Sequence, residues 1–162
     1  MRPDKDRYYI NIALSVAERG TCLRRNFGAV IVKDDVIVGT GYNGTARGVV
    51  NCNEVGCIKN LMNAPHGGAY DYCPAVHAEE NAIINSNRDD RMKATLYLAG
   101  RTLSGNYTQA NPCARCRRKI INSGISQVVM LNVDGSLTYT YVLEYVQEDD
   151  EWYKSLLEEY MG

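Results

Sequence analysis

The chain has 162 residues, with 18 Lys+Arg against 19 Asp+Glu, a formal charge of −1 and 45% apolar residues. This composition excludes a disordered chain, a disulfide-stapled miniprotein and a domain whose main task is gripping polynucleotide, which is usually strongly basic. No stretch approaches 18 consecutive apolar residues, so no membrane span is expected.

In chain order, residues 5–19 carry Tyr9, Ile12, Ala13 and Val16 at helical spacing, with Gly20 as the stop. Residues 28–41 form two β-branched runs around Asp34-Asp35, the pattern of a hairpin. From Gly41 to Pro74 the chain is rich in Gly, Asn, Cys and Pro without periodicity, and a loop that long is usually functional. A helix is expected from Val76, a strand over 94–99 and a polar loop from Gly100 to Asn111. A helix over 113–123 is closed by Gly124. Strands over 125–132 and 137–141 and a terminal helix complete the order. With no repeat or linker, residues 1–162 read as one α/β domain, whose helix-joined strands should be parallel neighbours.

Charge is uneven. Residues 144–160 hold Glu144, Glu148, Asp149, Asp150, Glu151, Glu158 and Glu159 against Lys154 alone, whereas residues 1–25 hold six bases and three acids. These are either solvated faces or complementary surfaces between subunits. The N-terminus alternates charge signs and lacks the apolar run of a secretory signal, which points to the cytoplasm. There, cysteine clusters more often bind metal than form disulfides.

Six cysteines stand beside two histidines. His77-Ala78-Glu79 and Pro112-Cys113-Ala114-Arg115-Cys116 each open a predicted helix after a loop. Three ligands, His77, Cys113 and Cys116, suit a catalytic Zn²⁺ that keeps one position open. The C-x-x-C spacing at a helix start brings two thiols together where the helix dipole favours thiolate. Glu79, two residues past His77, need not ligate and can carry protons. The Ala78 N–H, in the first helical turn, is free to bind a base carbonyl.

These motifs resemble the zinc deaminases, whose signature is H-x-E with P-C-x-x-C. The sequence is more closely similar to the deoxycytidylate (dCMP) deaminase family. The matching segments are Gly28-Ala29-Val30-Ile31-Val32, Thr40-Gly41-Tyr42-Asn43-Gly44, Val76-His77-Ala78-Glu79-Glu80-Asn81-Ala82-Ile83, Pro112-Cys113-Ala114-Arg115-Cys116 and Ile120-Ile121-Asn122-Ser123-Gly124-Ile125, in family order over about residues 5–132.

The resemblance implies a three-layer α/β/α cytidine-deaminase-like fold with a central five-stranded mixed sheet. It implies hydrolysis of dCMP to dUMP and ammonia, with Glu79 carrying protons from water to N3 and to the departing amine. It places Asn43, and less centrally Tyr42, against the sugar or base, and Arg24, Arg25 and Asn26 near the sugar-phosphate. An arginine pair suits a monophosphate dianion, though solvated surface charge is the simpler role. Asn43 in Tyr42-Asn43-Gly44 also fits a plain turn. The resemblance further implies a homo-oligomer, by analogy a hexamer, with dCTP as activator and dTTP as inhibitor.

The 100–111 loop is longer than in many relatives, and its Arg101 and Tyr107 are either substrate or subunit contacts or merely exposed. Cys22, Cys52, Cys57 and Cys73 remain: a second, structural zinc, with His66 as rival fourth ligand, or free buried thiols, or a disulfide. Alternatives for the whole chain are deamination of dCTP, guanine or another base, or a non-catalytic zinc or competence accessory role.

Overall fold

A computed structural model describes residues 1–162. Helix α1 (Lys5–Ala17) starts at Asp4, whose carboxylate accepts the Arg7 N–H at 2.7 Å. Strands β1 (Arg25–Lys33) and β2 (Val36–Tyr42) form the expected hairpin, and Asp34 and Asp35 both take positive φ (49° and 64°), the geometry that joins twisted strands. The segment to Pro74 contains short pieces: β3 (Gly44–Thr45), α2 (Cys52–Val55) and α3 (Ile58–Leu61). Then follow β4 (Ala75–Val76), paired with β3, and α4 (Ala78–Ile84). The chain continues through α5 (Arg88–Arg91), β5 (Thr95–Thr102), α6 (Ala114–Ser123), β6 (Gln127–Leu131), β7 (Leu137–Tyr141) and α7 (Val142–Met161).

The main sheet is five-stranded and mixed, in the order β2-β1-β5-β6-β7. Only β5 and β6 pair in parallel. They are joined through α6, as expected for a crossover. The expectation that helix-joined strands are parallel neighbours fails twice: β3 and β4, joined through α2 and α3, pair antiparallel, and β2 and β5 are not neighbours. Although α4 lies between β2 and β5 in the chain, β1 sits between those strands, antiparallel to each. The hairpin keeps β2 at the sheet edge, so β5 takes the free side of β1.

The pleat sends alternate side chains to opposite faces. Val30, Val32, Tyr97, Ala99, Val129 and Leu131 pack with Tyr9, Ile10, Ala13 and Leu14 of α1. Ala29, Ile31, Leu96, Leu98, Val128 and Met130 pack under Ala78, Ala82, Ile120, Val142 and Tyr145. Two glycines let the helices come close. A Cβ on Gly28 would lie 1.9 Å from the Ala13 carbonyl oxygen of α1, and one on Gly41 would lie 2.3 Å from the Ala82 nitrogen of α4.

One boundary moves. β5 continues through Gly100, Arg101 and Thr102 because each pairs with β1, so the expected 100–111 loop is a hairpin-like excursion that starts later. Arg101 stacks on Tyr107, its guanidinium 5.2 Å from the ring centre, and donates to the Gly105 carbonyl at 2.9 Å. Both side chains therefore serve the excursion itself.

The acidic C-terminal segment meets bases of its own chain. Arg117 of α6 pairs with Glu148 and lies 3.6 Å from Asp149, and Lys154 pairs with Asp150 at 2.6 Å. No helix is long and apolar enough to cross a membrane.

Candidate metal centre and substrate cavity

Two helix N-termini meet at the centre. His77 is the N-cap of α4, and Cys113 is the N-cap of α6. Three residues on from Cys113, Cys116 falls on the same side of the first turn. His77 Nδ1 lies 3.6 Å from Cys113 Sγ and 3.3 Å from Cys116 Sγ, and the three ligand atoms lie within 4.8 Å of one another. His77 thus presents Nδ1 to the cluster. Its backbone N–H donates to the Glu80 carboxylate at 3.0 Å, and Glu80 in turn pairs with Lys119 of α6, tying the two helix starts together.

The donor set, one imidazole nitrogen and two sulfurs in one small volume, is the chemistry that holds Zn²⁺ with a position left open. Hydrogen bonding from Cys116 holds the Cys113 thiol below its ordinary range, against the opposing effect of burial. Cys116 is pushed the other way, first by its bond to Cys113 and then by burial. The pair therefore shares one proton readily and gives up the second with difficulty until a cation replaces it. His77 is raised, chiefly by its bond to Cys113.

Glu79 is 6% exposed, and burial raises its carboxyl above the usual range. It lies on the floor of a cavity of about 490 Å³ also lined by His77, Ala78 and Cys113. Volumes of this size suit small-molecule ligands. Glu79 is the only acid lining it, while Arg24, Arg25 and Lys59 also line it.

Pleating sorts the other sequence candidates. Arg25 and Phe27 of β1 face the cavity, whereas Asn26 points to the α1 side, where a Cβ on Gly20 would lie 2.6 Å from its Oδ1. Tyr42 pairs with Gly28 and is 37% exposed, outside the cavity lining. Asn26 and Tyr42 are thus turned away from the position expected for substrate contacts, each by a single step of the two-residue pleat.

Asn43 does line the cavity, but its amide serves the protein first. Oδ1 accepts the Phe27 N–H at 2.8 Å, and Nδ2 donates to the Arg25 carbonyl at 2.9 Å. One N–H of that amide remains for another acceptor. Arg24 donates to the Ala64 carbonyl at 3.2 Å through both terminal nitrogens, and Arg25 Nη1 lies 3.1 Å from the His66 ring nitrogens.

Cys22, Cys52, Cys57 and Cys73 all line the same cavity, and none forms a disulfide. Burial, and then the proximity of Cys57, Cys22 and Cys73, raises the Cys52 thiol. His77, Cys113 and Cys116 are the one set of three whose ligand atoms all lie within 4.8 Å. Lys59, Tyr70, Gln109 and Asn111 also line the cavity and lie outside the sequence motifs. Lys59 and Tyr70 sit in an aperiodic stretch, where no spacing could announce them.

The sequence model of the family described as "Cytidine and deoxycytidylate deaminase zinc-binding region" matches residues 3–132. The chain is 38% identical to a deoxycytidylate deaminase of Schizosaccharomyces pombe over 128 residues, covering 79% of this chain and 37% of that protein. It is 40% identical to a deoxycytidylate deaminase of Mycobacterium phage D29 over 134 residues, covering 79% of this chain and 94% of that protein. The chain thus spans little more than a third of the yeast relative and nearly all of the phage one.

Among solved structures, the dCMP deaminase of the cyanophage S-TIM5 superposes with TM-score 0.55 at 23% identity, covering 79% of this chain and 82% of that one. The cytidine deaminase of Burkholderia pseudomallei gives 0.56 at 21% identity, covering 84% and 91%. These two likenesses establish the shared fold. With the match spanning most of the chain and the His-Cys-Cys cluster in place for the catalytic zinc, the chain belongs to the cytidine and deoxycytidylate deaminase family.

Proposed function

We propose that the chain hydrolyses dCMP to dUMP and ammonia. The observation that carries this reading is a buried carboxyl, Glu79, beside a His-Cys-Cys cluster at the floor of a cavity whose remaining charged lining is cationic. The naming of the similar proteins as deoxycytidylate deaminases supports the choice of base and sugar.

His77, Cys113 and Cys116 would hold the zinc, which would supply a Lewis acid that lets water ionise near neutral pH. Glu79 takes the proton of the attacking water and delivers it to N3 of cytosine as C4 becomes tetrahedral. It then takes the proton of the new C4 hydroxyl and passes it to the C4 amino group, which leaves as ammonia as the C4 carbonyl forms. Its raised pKa suits a group that must both accept and release a proton near neutrality. The Ala78 N–H, which has no carbonyl to bond within α4, is offered to the pyrimidine carbonyl oxygen.

Two supporting readings accompany this one. Cys22, Cys52, Cys57 and Cys73, gathered around Cys52, support a second, structural zinc that ties the 44–75 segment to the end of α1. Exposed Trp152, Tyr153, Leu157 and Tyr160 on α7 support self-association, and six free thiols support a cytoplasmic location.

Ammonia release from the zinc-loaded protein, measured with dCMP, dCTP, CMP, deoxycytidine, cytidine and guanine, tests the reading. The highest kcat/KM is expected with dCMP. Guanine as the best substrate, or no release from any of the six, would overturn it.

A further inference from the structure

Helix α7 carries two stripes of regularly spaced side chains, and its own chain engages only one. Val142, Tyr145, Asp149, Trp152 and Leu156 recur every three or four residues, the spacing of one helix face. That face turns toward α6. Val142 and Tyr145 are buried, the Arg117 guanidinium lies 4.5 Å from the centre of the Tyr145 ring, and that of Arg118 lies 5.7 Å from the Trp152 ring.

Leu143, Val146, Asp150, Tyr153, Leu157 and Tyr160 form the second stripe, displaced by one residue. Their spacing alternates three and four without a break, as at the a and d positions of a heptad. All six are exposed, Leu143 by 64%, Tyr153 by 55% and Tyr160 by 81%. Single exposed apolar residues are ordinary, but a continuous seam of them marks a contact surface.

The charges of α7 are arranged around this seam. Glu144, Glu148, Glu151, Glu158 and Glu159 fall at heptad positions b, c and f, away from it. Asp149, beside the seam, lies 3.6 Å from Arg117 and 3.9 Å from Arg118 of α6. Asp150 is the one acid within the seam, and Lys154, one turn on, donates to its carboxylate at 2.6 Å. The acids therefore leave the seam open to another helix, while they repel an anionic lipid surface.

The seam is complementary to itself in one orientation. Two copies set antiparallel, about a two-fold axis midway between Asp150 and Tyr153, bring Leu143 opposite the partner's Tyr160 and Val146 opposite the partner's Leu157. Asp150 then meets the partner's Tyr153, whose hydroxyl can donate to the carboxylate. A parallel pair would instead set Asp150 against the partner's Asp150, a like-charge contact. Covering the seam on both copies buries on the order of 1,000 Å², near the floor for a specific interface, so assembly through it depends on concentration.

We infer that α7 is a docking element for a second copy of this chain, its outward seam pairing antiparallel with the same seam of the partner. This rests on the self-association proposed above and gives it a surface and an orientation. The helix lies beyond the family-matched residues 3–132, so the surface is not part of the matched region.

Disulfide cross-linking reads the pairing directly. V146C and L157C proteins, zinc-loaded and mildly oxidised, are run alone and as an equal mixture, with wild type as the control for native thiols. The mixture should give a linked dimer that neither protein gives alone. In the antiparallel pair each introduced cysteine lies about 16 Å along the axis from its own copy, beyond disulfide reach. A linked dimer from V146C alone, or none from the mixture, would overturn the inference.

Sedimentation velocity over a dilution series gives a second reading. Y153E sets a carboxylate against the partner's Asp150 and should raise the concentration needed for assembly by about 10- to 100-fold. The charge-swapped D150K/Y153E protein should regain most of that loss. Melting temperature and kcat should stay near wild type in both, since both positions are exposed and far from the metal centre in the chain. Assembly as tight in Y153E as in wild type would keep self-association through another face and overturn the α7 pairing. A wild type that stays monomeric throughout would overturn both.

Discussion

The two ends of the cavity are built in different ways. The metal end rests on the N-termini of α4 and α6, both packed on the sheet and joined by Glu80 to Lys119. The far end rests on the 44–75 segment, with two helices of four residues each and positive φ at Asn63 (50°) and Ala69 (56°). Reaction geometry tolerates little displacement, so it belongs on elements fixed by packing. Selection of a flexible phosphate tolerates more, and cations on irregular backbone suffice for it. Damage at one end should therefore change chemistry, while damage at the other should change which molecules are held.

The sharpest break comes at the metal end. C113S is expected to lose the zinc and all measurable turnover, read by metal analysis and ammonia release. E79Q should keep the zinc while kcat falls by about 10²- to 10⁴-fold, the usual contribution of a positioned acid–base group. An E79Q protein as active as wild type would remove Glu79 from proton transfer. At the far end, C52S should lower the zinc content from two per chain to one while deamination continues. One zinc per wild-type chain, with Cys22, Cys52, Cys57 and Cys73 all freely alkylated in the native protein, would sink the second metal.

The support beneath the metal end can be tested through packing alone. G41A places a methyl 2.3 Å from the Ala82 nitrogen and 2.4 Å from the Ala78 oxygen, both backbone atoms of α4. The helix must lift from β2, and overpacking of this kind costs about 1–3 kcal/mol, visible in denaturant unfolding. A matching change at the far end, G56A, meets no atom within 4 Å, so only its φ of 108° opposes the substitution. G41A is therefore expected also to lower kcat through the displaced Ala78 and Glu79, whereas G56A should leave kcat unchanged.

This contrast explains what could be read in advance. The metal end was legible because its residues are bound to helix starts: N-cap positions, C-x-x-C spacing and Gly124, whose φ is 88°, all leave local marks. The five-stranded sheet was legible as strands, but not the place of β5 beside β1, since strand order follows from long-range pairing. Asn26 and Tyr42 lie outside the cavity lining because the choice of face depends on where β1 begins; with Arg25 as the first residue of the strand, the pleat decides both. Lys59 and Tyr70 left no mark at all, because their meeting in the cavity is a property of the folded chain.

The subtlest prediction concerns Glu79 in the zinc-free protein. Burial raises its folded-state pKa above the unfolded value. A raised carboxyl binds its proton more tightly when folded, so stability falls as pH rises from the unfolded pKa through the folded one. Above that window, the zinc-free protein carries the cost of a buried charge. E79Q removes the charge and keeps the shape, so zinc-free E79Q should melt at a higher temperature than zinc-free wild type at neutral pH. In acid below the unfolded pKa, where wild-type Glu79 is already neutral, the two should converge. Zinc narrows the difference at neutral pH, because its charge offsets that of the carboxylate. A pH-independent E79Q effect would mean that Glu79 is held by its hydrogen bonds rather than strained by burial.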